Sequence, residues 1–160
     1  MPLPAVKTIL YTTTLDKHTR PVFRQAVKLA SLYNAKIIML HVVEPIGEMG
    51  HALIQNYLPQ DLIKKMHDEG IDNIKKTMHE RVAKACAEEL DGIEESIKVE
   101  IEPMVVEGNY TDAICDTAAK LQVDMIVMGS HNSLGRSSAT TRHVIKYSQR
   151  PVLVIPTHQK

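Results

Sequence analysis

Short apolar runs alternate along this chain with longer stretches whose apolar residues recur every three to four positions, the arrangement of a parallel sheet wrapped by helices. "TILYTT" (Thr8 to Thr13) is rich in β-branched residues and predicts a first strand. Beyond it Val22, Phe23, Ala26, Val27, Leu29 and Ala30 share one helical face; Asp16 or Thr19 can cap its start, Pro21 is tolerable only in a first turn, and Asn34 ends it. "KIIMLHVV" (Lys36 to Val43) is almost continuously apolar, as a central strand covered on both faces must be. From Gln60 to Leu90 the residues Ile63, Met66, Ile71, Ile74, Met78, Val82, Cys86 and Leu90 predict one long amphipathic helix. "SIKVEIEPMVV" reads as a strand at or near a sheet edge, with a bulge at Pro103. "NYTDAICDTAAKLQ" predicts a compact helix with Ile114, Ala118 and Leu121 on one face, and "DMIVMG" and "PVLVIP" complete the strands, with a helix over Thr140 to Ser148 between them.

Five strands and four helices in alternation make an α/β chain, expected as a single domain over residues 1–160. Because parallel crossovers are right-handed, helices must cover both faces of an open sheet whose winding reverses somewhere. Ligands of such sheets bind beyond the carboxyl ends of the strands, at the reversal, which directs attention to the loops after the first and fourth strands.

Composition narrows the function. Nineteen basic and nineteen acidic residues give zero formal charge, so no single-sign field favours nucleic acid, and no nucleic-acid partner is expected. The stretch "MPLPAVKTILY" lacks a basic segment followed by a long apolar region, and no run approaches the roughly 18 apolar residues that span a bilayer; the expectation is a cytoplasmic protein with no membrane insertion. Cys86 and Cys115 fall in helical stretches without metal spacing and read as buried thiols of a reducing compartment. The eight histidines, His67 and His79 among them, show no ligand spacing either, so no metal is expected. No Gly-x-Ser-x-Gly elbow, Walker pattern or acid pair marks an active site, which points away from an enzyme.

The stretches "KTILYTT", "IIMLHVVEP", "VVEGNYTDAICDTA", "VDMIVMGSH" and "RPVLVIP", and above all "LHV" after strand two paired with "MGSH" after strand four, resemble the universal stress protein family over the whole chain. The resemblance implies an adenine nucleotide alpha hydrolase-like fold with strand order 3-2-1-4-5, so that the reversal lies between strands one and four. It also implies a homodimer in which the fifth strands, here Val152, Leu153, Val154 and Ile155, meet. Some members bind ATP or AMP; others do not.

Nucleotide-binding members are similar in a pattern of glycine, two residues, glycine, nine residues, then glycine followed by serine or threonine, because glycines let amides approach phosphate closely. Gly129 matches the first glycine, but Asn132 stands at the second, where its side chain crowds a phosphate. Aligned backward from Pro151, Ser138 and Ala139 take the place of the last glycine and serine, which leaves the loop about four residues short. Gly135, Arg136, Ser137 and Ser138 could still improvise an anion-binding turn, with Ser130 beside Gly129. After strand one the chain reads Thr12, Thr13, Thr14, and where such relatives carry an acid Thr14 stands, which accepts hydrogen bonds more weakly than a carboxylate. Val42 matches the apolar residue of the adenine pocket.

The leading expectation is therefore a non-enzymatic stress-response module with a degenerate nucleotide crevice. No cofactor is required, ATP or AMP are the ligands the crevice could take, and a regulatory protein is the partner. The alternative is an ATP- or AMP-binding switch with slow hydrolysis or self-phosphorylation on Ser130, Ser133, Ser137 or Ser138. Met49, Leu53, Ile54, Tyr57 and Leu58 offer an apolar patch that either docks on a membrane transporter or sensor or covers the core or the dimer interface.

Overall fold

The computed structural model describes residues 3–14, 20–44, 60–90, 98–130 and 137–157. In chain order these form β1 (Thr8–Thr12), α1 (Arg20–Tyr33), β2 (Lys36–Val43), α2 (Gln60–Leu90), β3 (Ile101–Glu107), α3 (Tyr110–Lys120), β4 (Met125–Gly129), α4 (Ser137–Tyr147) and β5 (Val152–Ile155). The strands lie in the order β3-β2-β1-β4-β5, every neighbouring pair parallel. The winding reverses between β1 and β4, as expected.

Strand periodicity of two sorts the core into two layers. Ile9, Tyr11, Ile37, Met39 and Val127 face α1 and α2, where they meet Phe23, Ala26, Val27 and Val82. Leu10, Ile38, Leu40, Val42, Ile126 and Met128 face α3 and α4, against Ile114, Ala118 and Val144. β1 is sealed on both sides, with Ile9, Leu10 and Tyr11 all fully buried. The Tyr11 and Phe23 rings meet edge-on at 5.7 Å, a favoured aromatic geometry.

Asp124 fixes the start of the two central strands. Its carboxylate accepts the Lys7 and Thr8 amides at 2.8 and 3.0 Å, and its own N–H donates to the Thr8 carbonyl at 2.9 Å. Helix ends are equally local: Asn34, Gln122 and Gln149 follow α1, α3 and α4 with φ of 54°, 50° and 54°. The next amides, of Ala35 and Val123, reach back to the carbonyls of Ala30 and Ala118 at 2.8 and 3.1 Å, closing those helices through left-handed residues.

Four expectations are corrected. β1 ends at Thr12 rather than Thr13. α4 begins at Ser137, three residues before the expected Thr140, because a helix needs no apolar residue in its first turn; among its described side chains Thr140 is the first that is buried. β3 carries no bulge, since Met39 pairs with Pro103 in unbroken register. The Ile37 amide bonds the Glu100 carbonyl and the Gly108 amide the Val43 carbonyl, so even-numbered residues of β3 bond inward to β2. Pro103, an odd-numbered residue, then lacks its N–H on the open side of an edge strand, where nothing is lost. Finally, Cys115 is half-buried rather than buried; the Cys86 side chain lies outside the described residues, as do Asp16, Thr19 and the patch from Met49 to Leu58.

Candidate functional site

The crevice opens where β1 and β4 part, α1 lying on one face and α4 on the other. Its floor on the β1 side is Thr12 and Thr13, 5% and 1% exposed, followed by half-buried Thr14. The Thr13 amide donates to the Leu40 carbonyl at 2.9 Å, and the Thr13 carbonyl accepts from His41 Nδ1 at 2.9 Å. Because a carbonyl can only accept, Nδ1 carries the proton in either charge state. Burial pushes the His41 pKa below its ordinary value; the Thr13 bond opposes the fall, and the Arg81 guanidinium adds to it. His41 therefore ties the loop after β1 to β2 as a neutral donor. The "LHV" run placed this histidine at the end of its strand, but nothing in the run revealed its carbonyl partner.

Val42 is buried in the layer facing α3 and α4, beside Leu40 and Met128, where the resemblance puts an adenine-lining residue. Gly129 ends β4 without a left-handed φ, so the absent side chain is a matter of space. A Cβ there would stand 2.8 Å from the Thr157 methyl and 3.3 Å from a Val22 methyl. The Ser130 amide donates to the Ile155 carbonyl at 2.9 Å, and its hydroxyl accepts the Thr157 amide at 3.3 Å. The segment after β5 thus runs on beside the end of β4, with the Thr157 methyl against Gly129. Sequence reasoning missed Thr157; its signal was parity, since it follows Leu153 and Ile155 in the series of residues facing α1.

Ser137 and Ser138 are the first two residues of α4, so their amides belong to the first turn, whose N–H groups have no partner inside the helix. Asn132, Gly135 and Arg136 lie outside the described residues. Thr12, Thr14, Gly129 and Ser130 are brought to one end of the sheet, and Val42 to the neighbouring strand end. Among the described residues no cluster of acids, histidines or cysteines could hold a metal, and no helix is long and apolar enough to cross a membrane.

Val152, Leu153, Val154 and Ile155 are all half-buried, and β5 is an edge of the sheet. The Pro151 and Ile155 carbonyls accept from Ile126 and Ser130, so the odd-numbered residues bond to β4 and the main-chain groups of Val152 and Val154 point away from it.

A family model described as the universal stress protein family matches residues 5–156. The universal stress protein MJ0577 of Methanocaldococcus jannaschii is 26% identical over 153 residues, 93% of this chain and 94% of that one. Its solved structure superposes with a TM-score of 0.67 at 22% identity over 98% of this chain and 100% of that one. A universal stress protein in complex with cAMP gives 0.59 at 19% identity, covering 97% and 100% of the two chains. The universal stress protein from Archaeoglobus fulgidus in complex with dAMP gives 0.53 at 18%, covering 94% and 97%. The fold is common to all three.

Proposed function

The chain belongs to the universal stress protein family, and we propose that within it this protein works by binding rather than by catalysis. It is a cytoplasmic stress-response module, paired through β5, that docks on a regulatory protein and holds adenine nucleotide weakly in a degenerate crevice. The observation that carries this reading is Gly129. The space its missing side chain leaves is filled by this chain's own Thr157 and Val22, so the glycine is accounted for by packing and gives no reason to invoke a phosphate. Thr14 in place of an acid, and a loop about four residues short after Gly129, weaken the other anchors.

A nucleotide switch with slow hydrolysis or self-phosphorylation is the second reading. What favours it is that cAMP and dAMP are bound by relatives of the same fold. Both ligands carry one phosphate, which suits a crevice whose missing loop residues would have held the outer phosphates of ATP. On the leading reading ATP therefore gains little over AMP. Titrating nucleotide-stripped protein with both ligands separates the readings: two weak affinities within a few-fold of each other support the module, and a marked preference for ATP with turnover to ADP supports the switch.

A further inference from the structure

A second cavity lies away from the crevice, at the β3 edge of the sheet. It has a volume of about 350 Å³, within the range of roughly 300–1,000 Å³ typical of small-molecule sites. The floor is apolar: Met104 and Val106 rise from β3, and Ala113 and Leu121 come from α3 and its end. The wall is a stripe of α3, on which Asp112, Asp116 and Lys120 follow one another at four-residue intervals and so share one face. Glu107 closes the end of the cavity at the terminus of β3. Carboxylates outnumber the one ammonium group.

Thr117 supplies a separate sign of a ligand. It lines this cavity at 7% exposure, and its hydroxyl has no hydrogen-bond partner among the described residues. No fully enclosed side-chain polar atom there lacks a partner, so the oxygen must open into the cavity rather than face the core. Water reaches this hydroxyl in the open cavity, and a donor entering the cavity would take that water's place. Beside the cavity, burial first and then Asp116 and Asp112 push the pKa of the Cys115 thiol upward. Asp112 also lies 3.5 Å from His143 Nε2, whereas Asp116 is exposed and enters no ion pair among the described residues.

We propose that this cavity binds a small organic ammonium ion, a protonated amine carried on a compact aromatic or aliphatic body. The ammonium donates to the Asp116 carboxylate and the Thr117 hydroxyl, and the body covers Met104, Val106 and Leu121. An anion would meet the carboxylates, and a bare metal ion would leave the apolar floor unused. This site shares no residue with the crevice, so its failure and that of the nucleotide reading are separate results.

The test is a titration of the full chain with phenethylamine and with its neutral counterpart 2-phenylethanol, read by backbone amide shifts. The amine is expected to move Ala113, Thr117 and Leu121 saturably while leaving Gly129 and Ser130 in place. The alcohol should bind about tenfold more weakly or worse, the loss of roughly one charge-assisted hydrogen bond. Asp116→Asn, on an exposed helix face where folding is not at risk, should reduce amine binding about tenfold and leave alcohol binding unchanged. Equal binding of amine and alcohol, shifts centred elsewhere, no saturable shift, or indifference to Asp116→Asn would each overturn the proposal.

Discussion

At Gly129 the Thr157 methyl stands 2.8 Å from where a Cβ would sit, and the clash would fall at the junction of β4, α1 and the segment after β5. Gly129→Ala should destabilise the protein by about 1–3 kcal/mol, as overpacking does. Thr157→Ser removes the offending methyl and keeps the hydroxyl, so the double variant should recover most of that loss in urea unfolding. Strictly additive effects would show that the two residues do not compete for the same space. His41 makes a second residue-scale prediction. Its pKa in the folded protein lies below the unfolded value, so the unfolded chain takes up the proton first as pH falls. The stability it contributes is complete above about pH 6.5 and is lost as pH drops through the unfolded value toward the folded one. His41→Asn keeps an N–H near the Thr13 carbonyl without a titrating ring and should flatten that part of the stability–pH curve; an unchanged slope would contradict the assignment. Neither residue announced its partner in the sequence. Gly129 could be read there only as a turn or a phosphate contact, because the crowding comes from Thr157, 28 positions away in the chain.

Elements were far more legible than contacts. β2 and α2 run over the residues that hydrophobic pattern assigns to them, since continuous apolar runs and helical periodicity are local signals. The errors came where the signal is not local: the start of α4 lies in polar residues, and Pro103 is explained only by which way its N–H points in the sheet. Left-handed helix ends are an element-scale device with its own prediction. Gln122 holds φ 50° behind α3, a conformation that disfavours a side chain, so Gln122→Gly should stabilise the fold by about 0.5–1 kcal/mol, visible as a higher urea midpoint. The exposed edge of β5 carries the dimer proposal. An antiparallel two-fold pairing centred on Leu153 would set Val152 opposite Val154 of a second copy, using the main-chain groups that point away from β4. Val154→Pro removes one of those outward donors and none that β4 uses. Sedimentation equilibrium at micromolar concentration should show a dimer for the parent chain and a folded monomer for the variant. A dimeric Val154→Pro protein would place the interface elsewhere.

On the scale of the whole molecule, the family resemblance supplied the strand order, and the sheet bears it out with the reversal between β1 and β4. The crevice that this topology creates was legible in outline because its position follows from winding alone. Its chemistry was legible only through departures at Thr14, Asn132 and the shortened loop, of which Thr14 is described in the structure. The backbone approach lost through Asn132 and the shortened loop, and the acid lost at Thr14, should each weaken nucleotide binding by about 1–3 kcal/mol, and together they amount to roughly two to four decades of affinity. Any binding that remains should depend on Arg136 as a charge-assisted contact, so Arg136→Ala should weaken it further. The most direct measurement is calorimetric titration of nucleotide-stripped protein with ATP. The account predicts a dissociation constant no tighter than about 100 μM, and a low-micromolar value would contradict it.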